Sequence, residues 1–393
     1  MTQTRSLAKT AKPEKLSSKS ATHAASKVYF AGLRARGPRE SKIKKIEALF
    51  KAAAFSSFIT QNALTAVKVH VGERGNDTFI NPVFARAVVD CIKAAGGKPF
   101  LTDSNTLYTG SRHNAVDHMA TAIEHGFSYA TVGAPFIIAD GLRGGSFQTV
   151  HIGKKHFSSV KIASAIADAE CMLVLSHFKG HEMAGFGGAI KNLAMGCCPS
   201  QGKCAQHKAR FFIKEKQCAR CGLCATHCPA NAISFSGKEK TALIDAKLCL
   251  GCGECLAVCA AKAVSIDWGT ELVPFTERMV EYAYGAVHGK QSRTGYITFL
   301  MDITPDCDCV SWSDAPLVPD IGILAAHDPV ALDTACRDLV NAETGLAQSH
   351  LARGHGKGED KFTGAWAHTM GDVQLSYAEQ IGLGASQYDL VRL

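Results

Sequence analysis

Ala66-Val-Lys-Val-His-Val71, Asn81-Pro-Val-Phe-Ala-Arg-Ala-Val-Val-Asp-Cys-Ile-Lys-Ala-Ala-Gly-Gly97 and Lys98-Pro-Phe-Leu-Thr102 read in order as strand, helix and strand. The first and third are short runs dominated by apolar and β-branched residues. In the middle stretch Asn81 is suited to cap a helix. Pro82 suits its first turn, where an N–H would have no intrahelical partner. Phe84, Val88, Cys91/Ile92 and Ala95 recur at helical spacing, and Gly96-Gly97 supplies the stop. Alternation of this kind predicts parallel strands joined by crossover helices.

The same pattern runs outward in both directions. A second helix is expected from about Ser111 to Glu124. Cys171-Met-Leu-Val-Leu-Ser176 is almost continuously apolar, as befits a strand buried on both faces. Further on, Gly295-Tyr-Ile-Thr-Phe-Leu300 and Ile321-Gly-Ile-Leu324 read as strands, and Asp328-Pro329 opens a helix through about Asn341. The expected fold class is α/β: a mainly parallel sheet domain built from residues 28–213 and 263–393. Residues 214–262 interrupt it. They are most simply an insertion into one domain, the alternative being two α/β lobes joined through them.

That interruption carries the most specific motif in the chain. Cys218, Cys221, Cys224 and Cys228 follow C-x2-C-x2-C-x3-C, with Pro229 after the last, and Cys249, Cys252, Cys255 and Cys259 repeat the spacing. Cys228-Pro-Ala-Asn-Ala-Ile-Ser-Phe also matches Cys259-Ala-Ala-Lys-Ala-Val-Ser-Ile, so the segment is an internal duplication with a pseudo-twofold axis. The motif resembles the bacterial two-cluster ferredoxins, an α+β module. There three thiolates on a tight loop hold three corners of a cubane, and the fourth Cys of each run ligates the other cluster. The resemblance implies two [4Fe–4S] clusters. Cys218, Cys221, Cys224 and Cys259 would hold cluster one, and Cys249, Cys252, Cys255 and Cys228 cluster two. Gly222, Gly251 and Gly253 would let the backbone wrap closely. Ala260, where a second Pro often stands, removes no ligand. Lys214, Lys216, Arg220, Lys238, Lys240, Lys247 and Lys262 outnumber Glu215, Glu239, Asp245 and Glu254, which suggests docking of an acidic electron carrier such as a ferredoxin or flavodoxin.

Composition sets the surroundings. Sixteen cysteines without a secretory signal point to metal binding in a reducing compartment, the cytoplasm, and away from disulfides. No apolar run is long enough for a membrane span. Of the net charge of +8, residues 1–27 supply most through Arg5, Lys9, Lys12, Lys15, Lys19 and Lys27 against Glu14 alone. They are expected to form a solvated, disordered basic tail. The remainder is too weakly basic to suggest nucleic-acid binding. Oligomeric state is not readable, a homodimer included.

In open α/β sheets ligands bind beyond the carboxyl ends of the strands. The loops expected there are Asp103 to His113, His177-Phe-Lys-Gly-His181 with Gly185 to Asn192, and Asp302 through Cys307-Asp-Cys309; Asp140-Gly-Leu-Arg-Gly-Gly145 is a further turn suited to an anion nest. His177, His181 and Lys191 suit proton transfer, metal ligation or a covalent carbonyl adduct; the bland alternative is local capping and a solvated lysine. Cys307 and Cys309 join them as candidate catalytic residues. Cys91, Cys171 and Cys336 lie in apolar patterns and read as packing. Cys197, Cys198, Cys204 and His207 form a second cluster, read either as an extra metal site or as buried thiols.

Asp103-Ser-Asn-Thr-Leu-Tyr108 with Gly110-Ser-Arg112, Lys179-Gly-His181 with Gly188-Ala-Ile-Lys191-Asn-Leu193, and Asp306-Cys-Asp-Cys309 with Asp314-Ala-Pro316 and Asp320-Ile-Gly322 resemble one family, the bacterial and archaeal "domain of unknown function 362" proteins. The resemblance runs from about Lys27 to Val340 and implies an iron–sulfur protein without specifying a reaction. His177 to Lys191 also resembles a motif of the nickel-pincer lactate racemases, in which Lys and His residues hold a hydride-accepting cofactor. Three functions follow as expectations. The first is an oxidoreductase that delivers electrons from the clusters to a substrate or second cofactor, such as flavin or nickel, in the α/β domain. The second is an electron-transfer or assembly subunit for a catalytic partner. The third is a non-redox pincer-type isomerase. No strand–Gly-x-Gly-x2-Gly–helix unit and no Walker-type loop is present.

Overall fold

A computed structural model of the chain describes residues 25–236, 241–269 and 271–393. The basic tail expected over residues 1–27 lies outside these residues as far as residue 24, and its end needs correction. Ser26 and Lys27 open strand β1 (Ser26–Gly32), because buried Val28 and Phe30 fix this segment against the core. Among the described residues no helix is long and apolar enough to cross a membrane.

Seven further strands complete one sheet: β2 (Leu64–Val69), β3 (Lys98–Asp103), β4 (Phe136–Ile138), β5 (Cys171–His177), β6 (Thr294–Leu300), β7 (Gly322–Ala326) and β8 (Tyr388–Arg392). Their order is β8-β1-β7-β6-β5-β2-β3-β4. Only β7 runs against its neighbours; every other pairing is parallel. The mainly parallel α/β sheet read from the sequence is the one that forms. β6 lies between β5 and β7, so chain from both sides of the cysteine-rich segment builds a single sheet.

Alternate residues along the strands feed opposite faces. Ala66, Met172, Val174, Tyr296 and Leu324 enter one core, shared with helices α4 (Ala189–Gly196), α5 (Leu272–Val287) and α6 (Pro329–Ala342). Val67, Leu173, Leu175, Ile297 and Ile323 enter the other, under α1 (Lys42–Ala52) and α2 (Pro82–Ala94). The Asn81 side chain accepts from the Val83 N–H, as its place before Pro82 predicts. The second expected helix starts later than Ser111. Helix α3 spans Ala115–Glu124 with Asn114 as its cap, while the Ser111 N–H and hydroxyl both donate to Glu73.

Residues 214–262 are flanked by a strand pair. Arg210–Ile213 pairs antiparallel with Val264–Asp267 and closes the inserted unit. A second pair, Ile233–Ser236 with Thr241–Ile244, completes the strands. The duplication is visible in the backbone. Gly222 and Gly253 share φ +81°, Asn231 and Lys262 have φ +50° and +51°, and the N–H groups of Ala232 and Ala263 donate to Cys228 Sγ and Cys259 Sγ, each at 3.2 Å. The unit has a small core of its own, and Leu107 of the α/β domain is packed into it.

Candidate functional site

A cavity of about 320 Å³ lies beyond the carboxyl ends of β2, β3 and β5. Its wall carries Arg112, Lys179, Lys191 and Lys203, with Lys68 behind it. Lys68, within the strand quoted first above, is fully buried and pairs with Asp103 at 2.9 Å while donating to Asn192 Oδ1 at 2.7 Å. Burial pushes the Asp103 carboxyl up, but Lys68, His118 and Arg112 outweigh it and hold the group below its usual range. Buried Arg112 donates to Glu73 Oε2 at 3.1 Å and to the Tyr108 hydroxyl at 2.7 Å; that hydroxyl donates to the Cys309 carbonyl at 2.9 Å. The loop after β3 is thereby tied to the loop after β6.

His177 and His181 play different parts. The His177 ring lies between acceptors on both sides: Nδ1 is 3.0 Å from each Asp308 oxygen, and Nε2 is 2.8 Å from the Met301 carbonyl. Both ring nitrogens are engaged within the wall, so His177 positions Asp308. Lys179 donates to the same carboxylate. Burial would raise the Asp308 pKa, yet His177 and Lys179 hold it well below the usual carboxylate range. His181, half-buried in the cavity wall, accepts at Nδ1 from the Met183 and Ala184 N–H groups, both at 3.1 Å. His70 likewise accepts at Nδ1 from the Gly72 N–H at 2.9 Å. Burial first, then the neighbouring cations, keep both rings neutral by lowering their pKa values well below the ordinary value. With Nδ1 accepting, each neutral ring presents Nε2–H as a donor.

Lys191 stands on α4, whose first N–H groups, of Ala189 and Ile190, donate to Asp333 at 2.8 and 2.9 Å. Burial pushes the Lys191 amine down to about 7, helped by Lys179. Gly187 packs under its side chain: a Cβ there would lie 3.1 Å from Lys191 Cδ. His181 and the sulfurs of Cys307 and Cys309 bring their ligand atoms within 4.8 Å of one another, a group able to hold a metal ion. The two cysteines are nonetheless joined as a disulfide. That corrects, for this pair, the expectation that no cysteines would be bridged, because the C-x-C turn brings the two Cα atoms to 5.2 Å, within reach of a bridge.

The second cysteine cluster read from sequence is dispersed. Cys197 and Cys198 are fully buried, and burial pushes their thiols up to about 12 and 11. Cys204 turns away to the inserted unit, where a Cβ on Gly251 would collide with its sulfur. His207 alone reaches the cavity, against Phe275 and Trp268. Of the packing cysteines, Cys171 and Cys336 are buried and Cys91 is half-buried. The sequence reading assigned no role to Lys68, His70, Lys179, Lys203 or Asp308. The available signal was a lysine and a histidine inside an otherwise apolar strand.

In the inserted unit, Cys218, Cys221, Cys224 and Cys259 surround one small cavity, and Cys228, Cys249, Cys252 and Cys255 surround another. The second lies toward the α/β domain. Gly253 is so close that a Cβ would sit 3.0 Å from the Leu107 carbonyl oxygen and 3.4 Å from His113, and Arg143 pairs with Glu254 at 2.7 Å. Leu107 lines the large cavity as well. Cys221, in the first set, is exposed.

A family model described as "Domain of unknown function (DUF362)" matches residues 65–338. No curated protein matches the chain. Among solved structures, the lactate racemase apoprotein from Thermoanaerobacterium thermosaccharolyticum is 11% identical, with 76% of this chain covered, 56% of that one, and a TM-score of 0.39. A Thermotoga maritima protein solved by a structural genomics consortium is 10% identical, with 77% and 60% covered and a TM-score of 0.37. The chain thus spans less than two thirds of either protein.

Proposed function

The chain belongs to the DUF362 family, and we propose that it is an iron–sulfur oxidoreductase, carrying low-potential electrons through two [4Fe–4S] clusters to the basic pocket of its α/β domain. One observation carries this reading: the two four-cysteine sets each surround a cavity, and the second is packed against Leu107, a wall residue of the pocket. The donor sets fit cubanes. Each offers four thiols from two separate parts of the duplication, and the backbone N–H groups of Ala232 and Ala263 point at sulfur, as the ligands of such clusters require. When bound, the clusters supply single electrons beside the pocket.

The pocket residues themselves select and orient a small anion. Arg112 and Lys179 of the wall, and Lys68 behind it, are each tied to a carboxylate, so their charges are balanced and they hold the wall in place. Among the described residues the Lys191 amine has no hydrogen-bond partner, so it is available to a ligand carboxylate or carbonyl. His70 and His181 add two neutral Nε2–H donors, which stabilise negative charge developing on oxygen without surrendering a proton outright. Phe275 and Trp268 exclude water on one side.

The exposed residues Lys214, Lys216, Arg220, Lys247 and Lys262 suit an acidic one-electron carrier at the module; Lys238 and Lys240 lie outside the described residues. A reducing, cytoplasmic setting follows from this reading.

The test reduces the anaerobic protein with dithionite, removes excess, adds small carboxylates and phosphates in turn, and follows cluster reoxidation by absorbance. One class accelerates reoxidation, and Lys191→Ala abolishes that acceleration while iron content stays constant. Unchanged reoxidation in Lys191→Ala sinks the enzyme reading and favours a subunit serving a separate catalytic partner.

A further inference from the structure

Cys307 and Cys309 are joined across Asp308, and both line the basic pocket. A bridge that closes so short a loop removes little freedom from the unfolded chain, and so stabilises far less than one closing a long loop. The segment is also held without it. Asp308 is clamped by His177 and Lys179, the Glu73 N–H donates to the Asp308 carbonyl at 2.8 Å, and the Tyr108 hydroxyl donates to the Cys309 carbonyl. A structural role therefore leaves the bridge unexplained. Its position, with both sulfurs on a cavity wall, suits chemistry.

His181 distinguishes two kinds of chemistry. Its ligand atom and the two sulfurs lie within 4.8 Å of one another, which would suit a metal. A metal-bound imidazole, however, directs a lone pair at the metal and donates its other N–H outward to a carbonyl or carboxylate. His181 is wired the opposite way. Nδ1 already accepts two backbone N–H groups, so the neutral ring carries its proton on Nε2. Ligation through Nε2 would require an imidazolate. A ring that keeps its proton, with one of its nitrogens within 4.8 Å of both sulfurs, instead suits a disulfide that opens, because an N–H stabilises the sulfur anion as the bond breaks.

From these contacts we infer that Cys307 and Cys309 are a redox-active pair that stores two electrons in the pocket. The source of electrons rests on the proposed function. Reduction breaks the S–S bond and forms two S–H bonds. Two equivalents of a reduced one-electron carrier, of the ferredoxin or flavodoxin class, give one electron each, and solvent gives two protons. Reoxidation releases the same two electrons and two protons. The pair thus converts single-electron delivery into a two-electron store where substrate binds.

The test equilibrates the cluster-containing protein anaerobically against mixtures of reduced and oxidised dithiothreitol, quenches with acid, alkylates and maps peptides. The peptide holding Cys307 and Cys309 gains two labels or none. Its labelled-to-unlabelled ratio rises about tenfold for each tenfold rise in the reagent ratio, as two-electron exchange requires. Two equivalents of reduced methyl viologen produce the same double label, and Cys228→Ser slows that reaction without moving the dithiothreitol curve. Labelling in every mixture, labelling in none, or a stoichiometric metal lost in His181→Ala overturns the inference. An unmoved viologen rate in Cys228→Ser, with a normal dithiothreitol curve, instead faults the electron route of the proposed function and leaves the redox pair standing.

Discussion

Asp308→Asn replaces a buried carboxylate by an amide of the same shape and leaves its partners in place. The carboxylate is 1% exposed, lies 3.0 Å from His177 Nδ1 through both oxygens and accepts from Lys179. Removing one member of such a buried group strands the remaining charge, at a cost of about 3–5 kcal/mol. Against a total stability of about 5–15 kcal/mol this is a large share. Lys179→Met in the same chain removes the stranded amine, so the double variant loses less than the two single losses together, by about 1 kcal/mol or more. The pH dependence has a definite sign. The folded-state pKa of Asp308 is depressed, so its contribution is complete above the unfolded value of about 4 and is lost as pH falls toward the folded one. The gap between wild type and Asp308→Asn is therefore full at pH 7 and begins to narrow only below about pH 4. Anaerobic urea unfolding followed by far-ultraviolet circular dichroism measures it. A loss under about 1 kcal/mol at pH 7, or strict additivity in the double variant, refutes the assignment of Asp308 as the anchor of this wall.

Lys191, with its amine near pKa 7, is neutral above that pH while surface lysines remain charged. Trinitrobenzenesulfonate should modify it with a midpoint near pH 7, moved upward by Lys179→Met; a midpoint near 10 means the amine is not desolvated as described. Gly222→Ala and Gly253→Ala impose the same left-handed strain at φ +81°, but only the second meets a neighbour, the Leu107 carbonyl at 3.0 Å. Gly253→Ala should therefore lower the urea midpoint further, and equal losses would mean the module is not seated on Leu107. Electron transfer from an acidic carrier should slow as salt rises through about 0.1 M, since exposed charges are screened over roughly 10 Å; a salt-independent rate removes the docking hypothesis.

The sheet was legible because buried parallel strands leave continuous apolar runs and because Asn81-Pro82 and Asp328-Pro329 announce helix starts. Asp328 does accept from the Val330 and Ala331 N–H groups. Strand order was not legible. That β6 sits beside β5, and that Ser26 and Lys27 pair with β8 rather than trailing as a tail, depends on pairings distant in sequence. The strand pair that flanks residues 214–262 was hidden for a similar reason: Arg210–Ile213 has meaning only once Val264–Asp267 lies beside it. In the pocket, the strand-end rule pointed to loops that line the cavity. It did not separate His177, enclosed by acceptors, from His181, which faces the cavity, because spacing along the chain says nothing about what each ring nitrogen touches. The dispersal of Cys197, Cys198, Cys204 and His207 shows the same limit: neighbours in sequence point into the core, the module and the pocket respectively.

The most direct measurement is iron, acid-labile sulfide, nickel and released small molecules on anaerobically purified protein, taken together. The account predicts about eight irons and about eight sulfides per chain, the content of two [4Fe–4S] clusters. Substitution of any one of the eight module cysteines should lower both. Zinc in place of iron, or iron unchanged by those substitutions, would contradict it.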